Sequence, residues 1–229
     1  FDEVKGVYID GEGSRHASLH SNMFMMAFGL VPEDRQESVL AFIKSRGMAC
    51  SVYGAQHLLE ALYLHGEDEY ACDLMTARHD RGWWNMIQAG STMTLEAWDL
   101  RYKNNLDWNH AWGAAPANII PRFMLGVRPL EAGFRKVLIQ PQAGGLTRVA
   151  GTVPTPHGPI QVTREMRTEH SGFLRVSIPG GITAKIALRL DEGDTTLTCN
   201  GTELSPVYEG GNAVVDDVSS GTFVLEWAR

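Results

Sequence analysis

Hydrophobic positions obey two different periods along the 229 residues. From residue 15 to about 126, apolar side chains recur three and four apart with Gly or Pro between segments, which predicts about five helices. RHASLHSNMFMMAFG is apolar on almost every side, through Leu19, Met23, Phe24, Met26, Ala27 and Phe28, and predicts a helix packed all round. PEDRQESVLAFIKSRG carries its own punctuation: Pro32 suits the first turn, acidic residues crowd the positive end, and Lys44, Arg46 and Gly47 close the other. SVYGAQHLLEALYLHG and EDEYACDLMTARHDRG predict two more helices, and NHAWGAAPANIIPRFMLGV a last one, kinked near Pro116 and Pro121. Short links between segments of similar length predict antiparallel hairpins.

After about residue 130 the period drops to two. KVLIQP, RVAGTVPT, PIQVTREM, FLRVSIP, TAKIALRL, TTLTCN and TFVLEWAR alternate between Gly, Pro, Asn and Asp clusters, and so many short strands predict an antiparallel β-sandwich. Phe173, Phe223 and Trp227 fit core positions of that sandwich. The change of period places a boundary in VRPLEAGFRK, with a helical domain over 1–130 and a β domain over 131–229. Five helices stack but do not alone close a barrel of helical hairpins, so the helical half is expected to have an N-terminal partner. The opening FDEVKG reads as a cut end, so targeting signals cannot be judged from it.

Composition is that of an ordinary globular chain, 44% hydrophobic and 21% charged, long enough for one large or two modest domains. A net charge of −7 without a basic run argues against nucleic acid as a partner. No apolar run approaches the roughly 18 residues that cross a bilayer, so no membrane contact is expected. Cys50, Cys72 and Cys199 are widely spaced and odd in number, which reads as small hydrophobes rather than a disulfide or zinc framework.

The chemistry concentrates in residues 78–112, RHDRGWWNM and then STMTLEAWDLRYKNNLDWNHAWG, which hold five of the six tryptophans. Indole faces stack on the C–H surfaces of sugar rings while Asp, Asn, His and Arg bond the hydroxyls, so the mixture suits a carbohydrate cleft; aromatic packing between hairpins is the alternative. Glycoside hydrolysis uses two carboxyl groups, and Glu96, Asp99, Asp107 and Asp80 are the candidates. Glu96 either emerges at a helix end beside Trp98 as a base, or sits as an ordinary acid in a first turn capped by Thr94. Asp99 either bonds a sugar hydroxyl or holds a loop, with Arg78, Arg81 or Arg101 as possible partners. In NHAWGAA, Gly113 and its alanines permit close approach of a backbone or a ligand near His110. His16 and His20 are four apart, as in a helical metal pair, but lack the glutamate of HExxH and a third ligand, so no metal is expected.

GSTMTLEAWD, LDWNHAWGAAPANIIPR, GFRKVLIQPQ and GTVPTPHGPIQV together resemble the C-terminal part of bacterial α-L-rhamnosidases, glycoside hydrolase family 78. The resemblance covers nearly the whole chain and implies a partial (α/α)6 helical-hairpin barrel followed by a β-sandwich. It implies that Glu96 is the general base of an inverting hydrolysis, although Leu95 and Ala97 stand where an aromatic and an Arg are commoner. It makes His110 a residue of the rhamnose pocket, with Ala111 in place of a more usual aromatic, and leaves Trp98, Asp99, Trp108 and Trp84 as candidate substrate contacts. The general acid is implied to lie upstream; nothing in residues 1–14 resembles its segment, Asp10 and Glu12 included. The implied partner is a rhamnose-containing glycoside or polysaccharide, with no cofactor. A non-catalytic carbohydrate-binding or assembly module, or a related barrel enzyme acting on another sugar, are the alternatives.

Overall fold

The computed structural model describes residues 1–190 and 195–229, which form two compact units, 1–119 and 120–229. The first contains α1 (Leu19–Ala27), α2 (Glu33–Arg46), α3 (Gly54–Leu64), α4 (Asp68–Thr76), α5 (Trp83–Gln88) and α6 (Ala115–Ile119). Neighbours in sequence pack as hairpins, α1 on α2 and α3 on α4, with α3 also against α1 and α6.

Local chemistry explains the boundaries. Ser18 caps α1 by accepting from Ser21 N at 3.1 Å, so the helix starts at Leu19 and leaves His16 outside it. The i, i+4 geometry expected of His16 and His20 is therefore absent; His16 bonds Asp10 instead. Asn22, fully buried, accepts from Tyr8 N and donates to Tyr8 O, both at 2.9 Å, and ties the N-terminal segment to α1. The expectation of a first helix buried all round is corrected: Leu19, Met23 and Met26 bury one face, Phe24 and Ala27 are half-buried, and Phe28 at the C-cap is 61% exposed. α2 keeps its predicted polarity, with Glu33 and Asp34 at the positive end and Lys44 and Arg46 at the other, while Pro32 caps the helix from one position earlier than expected. α3 is the central helix of the unit, with Ala55, Leu58, Leu59, Ala61 and Leu62 removed from solvent. The last predicted helix is broken into a 3-10 turn (Ala111–Gly113), α6, and a π turn (Ile120–Met124) in which Pro121 lacks the N–H that α-helical bonding requires.

The second unit holds two sheets whose buried side chains face a common core. Strands β1 (Val127–Pro129), β2 (Lys136–Ile139), β6 (Thr183–Leu188), β10 (Asn212–Val218) and β9 (Val207–Glu209) form one sheet in the order β1-β2-β6-β10-β9. Strands β3 (Arg148–Val153), β4 (Ile160–Thr168), β5 (Ser171–Ile178), β11 (Gly221–Ala228), β7 (Thr196–Cys199) and β8 (Thr202–Leu204) form the other, β3-β4-β5-β11-β7-β8. One pair departs from the antiparallel expectation. β2 and β6 run parallel, because β3, β4 and β5 are built into the opposite sheet before the chain returns beside β2. Val127–Pro129 pair with Val137–Ile139, which ties this segment to the sheet. Gly126, at φ +77, lets the chain pass Gln140 so closely that a Cβ there would lie 2.1 Å from its carbonyl carbon.

Period two sorts the aromatic residues. Phe223 shares a parity with buried Leu225 and Trp227 and faces inward with them. Phe173 does not: Leu174, Val176 and Ile178 take the buried parity of β5, so Phe173 lies on the outer face beneath the Arg167 guanidinium at 5.4 Å. This corrects its expected place in the core.

Candidate active site

Between α5 and the 3-10 turn at Ala111, residues 89–110 form no helix or strand, and this loop carries the candidate chemistry. It is held by shape and by hydrogen bonds. Thr94–Glu96 lie beside Asp107–His110: His110 N donates to Thr94 O at 2.8 Å, Thr94 Oγ1 to His110 O at 2.7 Å, and Glu96 N to Asp107 O at 3.0 Å. Gly113 lies under the same segment, and a Cβ there would meet Leu95 O at 2.7 Å. The close approach anticipated at NHAWGAA is thus made by backbone. Trp98, buried, anchors the other side by donating from Nε1 to Cys50 O at 2.8 Å and meeting Trp83 edge to face at 5.0 Å. Trp83 in turn donates to Gly113 O at 2.6 Å.

The helix-cap reading of Glu96 therefore fails, because the hydroxyls before it bond the loop and no helix follows. Its side chain, 15% exposed, reaches a cleft of about 520 Å³ bounded by Tyr53, Trp98, Tyr102 and Trp112, with His20, Arg81 and Lys103 around it. One carboxylate oxygen takes the Lys103 ammonium and the other accepts Asp107 N–H at 3.2 Å. The Lys103 ammonium chiefly, and then the Asp107 N–H, hold the Glu96 carboxyl below the usual range, so it is an anion at neutral pH.

The two residues before Lys103 are tied to the segment between α4 and α5. Tyr102 OH donates to Asp80 at 2.6 Å, Arg101 bonds Asp80 at 3.2 Å, and the Arg81 guanidinium lies 4.8 Å from the Tyr102 ring. Asp99 belongs to this network. It accepts from Arg101 N at 3.0 Å, from Asn85 Nδ2 at 3.1 Å and from the Arg101 guanidinium, which together pull its carboxyl down to about 2.

The other expected residues divide in two. His110 stands close to Glu96: together with Asp107 they bring ligand-type atoms within 4.8 Å of one another. Lys103 pairs with the Glu96 member of that cluster. His110 Nδ1 accepts from Trp112 N at 3.3 Å and its ring meets Trp112 edge to face at 4.6 Å. Trp84 and Trp108, 38% and 45% exposed, are not among the residues lining this cleft, and neither is Asp99; Trp84 lies under the Arg78 guanidinium at 4.8 Å. Sequence reasoning passed over Lys103, Tyr102, Tyr53 and Trp112. Lys103 follows Glu96 by seven residues across an irregular loop, where no period joins the two.

A helical-hairpin unit presenting a held carboxylate in an aromatic cleft, followed by a two-sheet β unit, has the build of a helical-barrel glycoside hydrolase. Residues 4–124 match the bacterial alpha-L-rhamnosidase 6 hairpin glycosidase domain, and residues 126–201 match the bacterial alpha-L-rhamnosidase C-terminal domain. The chain belongs to the bacterial α-L-rhamnosidase family. An α-L-rhamnosidase of Streptomyces avermitilis is 26% identical over 94% of this chain and 22% of its own length. One from an Alteromonas species is 27% identical over 81% of this chain and 21% of its own length. The chain therefore spans about a fifth of the curated relatives it matches. The same fold is found in the α-L-rhamnosidase from Dictyoglumus thermophilum, at TM-score 0.85 and 19% identity over 98% of this chain and 27% of that one. It is found again in the Streptomyces avermitilis α-L-rhamnosidase complexed with L-rhamnose, at TM-score 0.78 and 24% identity over 96% of this chain and 22% of that one.

Proposed function

We propose that this chain is the C-terminal part of an inverting α-L-rhamnosidase and supplies its general base, Glu96. The observation that carries the reading is an ionised carboxylate, fixed on both oxygens, in a 520 Å³ aromatic cleft of a unit that matches a six-hairpin glycosidase domain. The base removes a proton from water as the water oxygen bonds the anomeric carbon. The glycosidic C–O bond breaks on the opposite face, and a carboxylic acid from a part of the enzyme outside this chain protonates the leaving oxygen. An inverting pair stands about 6.5–9.5 Å apart to admit that water. Trp112, 55% exposed, offers apolar surface to the C–H side of the sugar ring, buried Trp98 backs the cleft wall, and His110 supports the wall beside Glu96. The substrate is a glycoside or polysaccharide ending in α-L-rhamnose.

Proton NMR of the complete enzyme turning over an aryl α-L-rhamnoside tests this reading. The first sugar released should be the β anomer. Release of the α anomer would contradict the inverting scheme, and binding without turnover would favour a carbohydrate-binding module.

A further inference from the structure

We infer that Lys103 is a positioning residue for the base: its ammonium fixes the Glu96 carboxylate as an oriented anion, and the Asp80–Tyr102 contact holds Lys103 in place. The inference rests on the reading of Glu96 as the general base and adds the device that sets the acid side of its working range.

The geometry is specific. A carboxylate on a loop without secondary structure has free χ rotation unless both oxygens are engaged. Here Lys103 takes Oε1 and Asp107 N–H takes Oε2, so the plane of the carboxylate is set by one mobile and one fixed donor. The fixed donor belongs to the Glu96–Asp107 backbone pairing. The mobile donor would otherwise be a flexible four-carbon stem. Its backbone follows Tyr102, whose hydroxyl is bonded to Asp80, and Arg101, which bridges Asp80 and Asp99. Each oxygen retains a lone pair, so a water can still be bound and deprotonated while the ammonium stays in place.

The other charged and titratable groups around Glu96 are Asp107 and His110 beside it, Arg81, Tyr102 and Tyr53 across the cleft, Cys50 in its wall and His20 at its edge. Of these, the Asp107 backbone N–H and the charge of His110 favour ionisation of Glu96, but less than Lys103 does. Removing Lys103 takes away the strongest partner of the ionised form and leaves the Asp107 N–H, so Glu96 should protonate at higher pH. A depressed carboxyl is ionised above its own pKa, and the base is lost as pH falls through that value. Loss of Lys103 therefore narrows the active range from the acid side.

The test is the pH profile of kcat/KM, which reports free-enzyme ionisations, for the complete enzyme on an aryl α-L-rhamnoside. Lys103→Met should move the acid limb to higher pH and lower kcat by about 10- to 100-fold, the cost of a loosened base. Lys103→Arg keeps a cation on the carboxylate and should return the acid limb toward that of the parent. Asp80→Asn should move the limb in the same direction as Lys103→Met but by less. The limb is read from the shape of each profile, so a smaller folded fraction does not imitate the shift. An unmoved acid limb in Lys103→Met, with Glu96→Gln inactive, would overturn the role of Lys103 and leave the base intact. An active Glu96→Gln would overturn the base reading itself.

Discussion

Replacing Gly113 by Ala asks whether the loop carrying Glu96 is held by shape. The new Cβ would stand 2.7 Å from Leu95 O and 2.8 Å from Thr94 Cβ, where ordinary contact begins at 3.4 Å, so one side has to retreat by about 0.7 Å. Neither side is loose. Thr94 is bonded twice to His110, and Gly113 O receives the Trp83 indole N–H. Overpacking of this kind costs about 1–3 kcal/mol, measurable by denaturant unfolding of the complete enzyme. A displacement approaching 1 Å at a reacting group costs up to about 10²-fold, and Glu96 is one residue beyond the clash. The expected result is a fall in kcat/KM of about 10- to 100-fold on an aryl α-L-rhamnoside. Gly11→Ala, whose Cβ meets nothing within 4 Å, is the control and should stay within about 0.5 kcal/mol of the parent. Parental activity and stability in Gly113→Ala would refute the claim that close packing under Thr94–Glu96 positions the base.

Trp98→Phe keeps one aromatic ring but removes part of a buried indole and leaves Cys50 O without its donor, which together should cost about 1–3 kcal/mol or more in urea unfolding. Asp99→Asn should lower the unfolding midpoint near neutral pH. The native carboxyl lies at about 2, so the stability its ionised form contributes is complete above the unfolded value and fades as pH falls toward 2, and the deficit of the variant should fade with it. Gly126→Ala combines a left-handed backbone with a Cβ 2.1 Å from Gln140 C, and should destabilise the β unit by about 3 kcal/mol or more in the same unfolding assay.

Periodicity and end signals made α2, α3 and α4 legible, because each is long enough to show its buried stripe and carries acids, bases or glycine where a helix starts and stops. α5 was not: WWNMIQ is only six residues long, less than two turns, and its tryptophans read as cleft aromatics. Seven strands announced themselves by alternation, whereas β1, β8 and β9 are three residues each, too short to show a period, and β10, seven residues long, was passed over because two adjacent buried residues and a register shift after Val215 break its alternation. The parallel pairing of β2 with β6 is a long-range event that local alternation does not encode. At the site, the tryptophan-rich stretch pointed to the loop that carries Glu96 into the aromatic cleft, and Gly113 to a close approach. The anchors of the loop were hidden because Trp98 reaches Cys50 and Tyr102 reaches Asp80 across large sequence separations. Local chemistry also misread Thr94, whose hydroxyl bonds His110 rather than capping a helix. The assignment of Glu96 came from family resemblance; the fold adds the reason it remains ionised.

The central claim is that Glu96 deprotonates the attacking water, and kcat/KM of Glu96→Gln in the complete enzyme, on an aryl α-L-rhamnoside, tests it most directly. Glutamine keeps the size and can still accept the Asp107 N–H, but it cannot take the proton, so kcat/KM should fall by about 10²- to 10⁴-fold while the protein remains folded. Parental turnover in that variant would contradict the account.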